Sequence, residues 1–202
     1  CEGIRYSDDT QLTLLEVYGL AGNRAFEQDE PFFEGNYDVI FKLPRVPNSG
    51  TYELRVAVGN GDGCGMMQIY LGTDKNNLSA IGLPLDMRYN EQTAATLFGY
   101  FIDSDLKDDN LRKERDMRNH DVMKGTNCYG SASSAGTTGG RNDGFALHKL
   151  RHIIFRGYVS PTQTYYVRFK DVLTNPAANL DIDYFEWVPK NVYAGVEAED
   201  DY

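Results

Sequence analysis

The chain has 202 residues, a formal charge of −10 and a pI near 4.7. An acidic surface repels phosphate backbones and anionic lipid, so nucleic acid and membrane surfaces are poor partners. Hydrophobic residues make up 41% of the chain, too many for global disorder, and no apolar run is long enough to cross a bilayer.

The length suits one β domain, and 14 Tyr and 10 Phe beside abundant Val, Ile and Thr favour strands. Residues 12–17 read as an opening strand. Tyr37, Val39, Phe41 and Leu43 then alternate with Asp38, Ile40 and Lys42, and after a Pro- and Asn-containing turn at 44–50, Tyr52, Leu54, Val56 and Val58 alternate with Glu53, Arg55 and Ala57. Period-two alternation on both sides of a turn predicts half-buried antiparallel strands. Residues 60–65 form a glycine-rich turn and 66–71 the next strand. The middle differs. Residues 103–124 are densely charged and carry the predicted helix, and 129–144 form a long loop rich in Gly, Ser and Thr. Strands resume at 152–158, 165–170 and 181–188, and residues 194–202 are an acidic tail.

The expected fold is mostly β: a two-sheet antiparallel sandwich spanning residues 1–193, with 103–145 as a helical and loop insertion. Its predicted core contains Tyr37, Val39, Phe41, Leu54, Val56, Val58, Val167, Phe169 and Phe185.

No nucleophile constellation is visible, and although carboxylates are abundant enough for two-carboxylate glycosidase chemistry, nothing singles out a pair. No Gly-x-Ser-x-Gly is present, and Ser131 lies in a glycine loop without a strand–elbow–helix context. His148 and His152 are four apart, but His152 opens an apolar strand and no third zinc ligand is spaced nearby. Asp103, Asp105, Asp108 and Asp109 lack the glycine and closing glutamate of an EF-hand. The glycines of residues 59–63 join two strands instead of opening a helix, so they read as a turn and not a phosphate cradle. The three cysteines, Cys1, Cys64 and Cys128, give no disulfide framework. Counting by twos along the last strand puts Asp181 and Asp183 on the face of Phe185 and Trp187, where buried carboxylates need donors or a cation. Backbone N–H groups, an arginine or a structural calcium would each serve.

Three stretches carry a likeness. The first runs from Gly35-Asn36-Tyr37-Asp38 through Leu43-Pro44-Arg45-Val46-Pro47 and Gly50-Thr51-Tyr52-Glu53-Leu54-Arg55 to Gly82-Leu83-Pro84-Leu85-Asp86-Met87-Arg88. The second is Met117-Arg118-Asn119 with Met123-Lys124-Gly125. The third joins Tyr166-Val167-Arg168-Phe169-Lys170 to Asp183-Tyr184-Phe185-Glu186-Trp187-Val188-Pro189-Lys190. Taken in order, over most of residues 12–193, they resemble the C-terminal domain of fasciclin-domain surface lipoproteins from glycan-utilising gut bacteria. The closing strand is also similar to that of galactose-binding-like jelly rolls, including some carbohydrate-binding modules.

These resemblances imply a jelly roll on the bacterial outer-membrane surface, with fasciclin domains upstream in the full-length protein. They imply that a lipid-anchored cysteine lies far upstream, so Cys1 is read as a boundary of the segment. They also imply that Asp183 helps to hold calcium, with Asp181 beside it and Glu16 as the candidate N-terminal partner. The expected function is non-catalytic: glycan capture or adhesion, with a glycan or a surface protein as partner and no membrane insertion by this domain. The rival is a structural module that positions fasciclin domains or docks a surface glycan-uptake complex. Binding is expected where the insertion meets the sandwich, through Tyr129, Arg141, Asn142 and His148, with Arg118 and Asn119 from the charged segment.

Overall fold

A computed structural model describes residues 4–6, 10–16, 29–59, 64–88, 118–123, 150–173 and 178–193. Among these residues the chain builds two antiparallel sheets. The first has the order β1 (Ile4–Tyr6), β4 (Asp38–Lys42), β10 (Tyr166–Asp171), β6 (Met66–Asp74) and β7 (Asn77–Asp86). The second has the order β2 (Thr10–Glu16), β3 (Asp29–Gly35), β11 (Asn179–Pro189), β5 (Gly50–Val58), β9 (Leu150–Val159) and β8 (Val122–Met123). A short helix, α1 (Lys190–Tyr193), follows β11. The central pairings β4–β10, β10–β6, β11–β5 and β5–β9 all join strands distant in sequence, as the connections of jelly rolls do.

Alternation makes the core. Val39 and Phe41 of β4, Met67, Ile69 and Leu71 of β6, and Val167 and Phe169 of β10 point from the first sheet toward Phe33, Leu54, Val56, Val58, Leu180 and Ile182 of the second. Burying each such side chain contributes about 1.5–3 kcal/mol. Rings lock the layers together: Phe33 meets Phe41 edge-on at 5.8 Å, and Phe169 stacks on Phe185 at 5.9 Å. The predicted core is therefore the observed one, with Phe185 partly buried against it. At one end, Trp187 collects Tyr52, Tyr165 and Phe155 around it and donates its indole N–H to the Pro44 carbonyl at 3.1 Å.

Several expectations need correction. β5 is not half-buried: from Tyr52 to Val58 it is buried on both faces, including Glu53 and Arg55. Val122 and Met123, inside the predicted helical segment, form an edge strand against β9. Strands β1, β3 and β7 were not foreseen. β1 is three residues long, β3 contains Pro31, and β7 contains Gly82 and Pro84, all weak or contrary strand signals. Gly82 sits at φ 61°, and the register between β6 and β7 slips around it. An irregular edge with a proline resists pairing with another chain.

Candidate functional site

The second burial face of β5 builds the site. Residues directly opposite in an antiparallel pair share a face. On the outer face of the second sheet, Glu53 lies opposite Arg156, Arg55 opposite Glu186, and Ala57 opposite Arg151. These groups form a ladder of charge. Arg55 donates from Nε and Nη2 to Glu53 Oε2 at 2.9 and 2.6 Å, and from Nη1 to Glu186 Oε1 at 3.4 Å. Arg151 reaches the same Glu186 oxygen at 3.2 Å. Glu53 Oε1 accepts from Arg156 Nε at 2.8 Å, and Arg156 Nη1 donates to Asp121 Oδ1 at 2.7 Å. Arg55 is 0% exposed and Glu53 1%. Charges so deep persist only because each has an opposite partner with hydrogen bonds.

The ladder has a wet end. The Arg156 side chain is 45% exposed and that of Asp121 56%. Asp121 is held in place by the backbone: its N–H donates to the Arg118 carbonyl at 3.0 Å, and its own carbonyl accepts from Ile153 N–H at 2.8 Å. Its φ is 57°, the left-handed region that aspartate tolerates better than most side chains. Glycine would relieve that backbone but would leave Arg156 without its outer carboxylate. The guanidinium is thus gripped from below by buried Glu53 and from the side by Asp121.

Beyond those bonds, Arg156 Nη2 and Asp121 Oδ2 make no hydrogen bond among the described residues. A fixed donor and a fixed acceptor therefore sit together at the surface. Tyr158, two residues along β9 and on the same face, is 69% exposed. Asn119 and His120 are exposed on the turn that leads to Asp121. Together these groups offer an aromatic face beside planar polar groups, held on rigid elements.

The residues expected to bind from sequence fare unequally. Arg118 and Asn119 are helical residues at the start of that turn, Arg118 half-buried and Asn119 exposed. Tyr129, Arg141, Asn142 and His148 lie outside the described residues. Sequence reasoning missed Arg156, Tyr158 and Asp121. The spacing of Arg156 and Tyr158 on a strand puts both on one face, a signal available in the sequence, whereas nothing local joins Asp121 to them.

The expected metal residues are rearranged by a bulge. The register between β11 and β5 shifts between Ile182 and Tyr184, so Asp183 is the extra residue. Leu180 and Ile182 face the core before it, and Phe185 and Trp187 after it. Counting by twos from Phe185 therefore fails at the bulge, and Asp183 does not share the face of Phe185 and Trp187. Asp181 lies opposite Phe32, which lies opposite Thr13, while Glu16 is three residues further along β2 and opposite Asp29. The register does not set Glu16 beside either aspartate. Among the described residues no three His, Cys, Asp or Glu side chains gather as a metal site. His152 lies on the core face between Val56 and Val122, and burial pulls its pKa down to about 4.

A second polar cluster lies on the outer face of the first sheet. Arg168 makes paired bonds of 2.6 and 2.5 Å to Asp38 and stands over the Tyr70 ring at 5.2 Å. Here both carboxylate oxygens are already used.

No protein-family model matches the chain, and no curated protein matches it in sequence. No helix among the described residues is long and apolar enough to cross a membrane.

Proposed function

We propose that this chain is a non-catalytic, glycan-binding surface module whose site is the exposed end of the ladder: Tyr158, Arg156 and Asp121, with Asn119 and His120 beside them. The observation that carries the reading is the pairing of a fixed donor, Arg156 Nη2, with a fixed acceptor, Asp121 Oδ2, next to an exposed tyrosine. A sugar ring presents an apolar face to an aromatic side chain and hydroxyls at its edge that donate and accept at once. The ladder beneath limits the ordering cost of binding, because the guanidinium is already placed.

The sequence likeness to the C-terminal domain of fasciclin-domain lipoproteins supports a place on the bacterial outer surface, downstream of fasciclin domains. A purely structural module would favour a contiguous apolar face. The exposed large apolar side chains among the described residues instead sit on separate elements: Leu83 on β7, Tyr158 on β9, Val172 after β10 and Val192 on α1.

Titration with neutral oligosaccharides, followed by amide chemical shifts, tests the reading. Shifts are expected at residues 119–121 and 156–158, with a dissociation constant between about 1 μM and 1 mM. Tyr158→Ala and Asp121→Asn should each weaken binding about tenfold or more while leaving the fold intact. Shifts clustering at Tyr70 and Arg168 would move the site to the other sheet. No shifts with any glycan would favour the structural module.

A further inference from the structure

At the end of the sandwich opposite Trp187, two buried polar atoms have no hydrogen-bond partner among the described residues: Tyr37 Oη and Asp171 Oδ2. Tyr37 is completely buried and Asp171 nearly so. Their backbones are joined, Asp171 N–H donating to the Tyr37 carbonyl at 2.9 Å, which puts both side chains at the same end of β4 and β10. The other Asp171 oxygen, Oδ1, is occupied by the Leu173 N–H at 3.1 Å. Gly65 lies beneath them. A Cβ at that position would stand 3.2 Å from Tyr37 Oη, 3.3 Å from Asp171 Oδ1 and 3.1 Å from the Ala178 Cβ. The missing Cβ of Gly65 thus lets the Tyr37 hydroxyl and the Asp171 carboxylate both approach the backbone there. The Cys64 thiol, which borders this corner, donates to the Gly59 carbonyl at 3.5 Å.

We infer that this corner is a binding site for a single enclosed water, which accepts a hydrogen bond from the Tyr37 hydroxyl and donates one to Asp171 Oδ2. Buried polar atoms in native proteins are almost always satisfied, and a water needs two to four polar partners to be held. A hydroxyl donor and a carboxylate acceptor supply two of complementary sense. A divalent cation fits less well, since it calls for six or more oxygens and no third ligating side chain joins Asp171 among the described residues. The electrostatics agree with the geometry. Burial, then the nearby Asp171 charge and Cys64, push the Tyr37 hydroxyl to titrate far above its ordinary range, so it stays a donor. Burial raises Asp171 against the lowering effect of its backbone N–H bonds.

Both bonding partners of the water lie at the ends of neighbouring strands of the first sheet, close to a segment of the second. β4 and β10 belong to the first, whereas Ala178 leads into β11 of the second and its carbonyl accepts from Gly35 N–H at 3.0 Å. The water is thus held by the first sheet at the corner where Ala178 of the segment entering the second sheet packs beside Gly65.

Water-to-amide magnetisation transfer on the intact chain tests this. Wild type should show a long-lived water adjacent to the Gly65 amide. Tyr37→Phe, which keeps the ring and removes only the hydroxyl, should lose that signal or shorten the water's lifetime at least tenfold. The absence of a long-lived water in wild type overturns the inference, as does an undiminished signal in Tyr37→Phe. Melting curves in EDTA and in millimolar calcium serve as a second arm: they should coincide, and a calcium-dependent rise abolished by Asp171→Asn would replace the water with a cation. A high-resolution structure showing a direct Tyr37–Asp171 bond would also overturn it.

Discussion

Replacing Glu53 by glutamine tests the charged ladder at its deepest point. Glu53 is 1% exposed and accepts from two arginines through three N–H bonds of 2.6 to 2.9 Å. The amide has nearly the same shape but no charge, and one of its ends carries donors that would face guanidinium donors. Glutamine keeps one accepting oxygen, enough for either Arg55 or Arg156 but not both, and it gives neither guanidinium a charged partner at this position. Breaking a buried pair by neutralising one member costs about 3–5 kcal/mol, because the remaining charge is stranded away from water. For a chain of this length that corresponds to a fall in Tm of roughly 6–20 °C. By contrast, Arg156→Ala removes a half-exposed partner, and its loss should cost on the order of 1 kcal/mol. Replacing the buried pair together, Glu53→Leu with Arg55→Met, should cost much less than the two single changes added, since the members interact directly. Urea unfolding measures all five variants, read as midpoint shifts at constant slope. A Glu53→Gln cost below about 1 kcal/mol, or strict additivity in the double variant, would refute the account of the ladder as a coupled electrostatic unit.

Two further outcomes follow from packing and titration. Gly157→Ala should destabilise the fold by about 1–3 kcal/mol, because the new Cβ would stand 2.3 Å from Phe155 Cζ; Phe155→Leu in the same chain should recover part of the loss, as judged by thermal melts. His152 is held at a pKa of about 4 against an ordinary value of 6.5, so the unfolded chain binds the proton more readily. Its contribution is therefore fully present above pH 6.5 and is lost as pH falls toward 4, a span worth on the order of 3 kcal/mol. His152→Leu should flatten the stability profile in that window relative to wild type, and an unchanged slope would show that the imidazole does not titrate there.

The sequence alone settled what depends on nearest neighbours. Alternation at 37–43, 52–58 and 165–170 marked β4, β5 and β10, and it marked their core residues, because a pleated strand turns successive side chains to opposite faces whatever lies around it. The two-sheet sandwich followed, since such strands bury an apolar face only against one another. Three things were decided by the tertiary structure. Whether the polar face of β5 meets water is not a local property: Glu53 and Arg55 look like solvent-facing residues until β9 and β11 bring Arg156 and Glu186 beside them. Register slips are likewise invisible. One extra residue at Asp183 reverses the inward face of β11, which is why the aspartates expected beside Phe185 and Trp187 do not line up with them. The candidate glycan site is the third. Arg156 and Tyr158 are spaced on one strand, but Asp121 reaches Arg156 from 35 residues away only because its carbonyl is bound by the backbone of β9. A hydrogen bond of that range depends on where the chain returns, and the physics of that return lies in the assembled sheets.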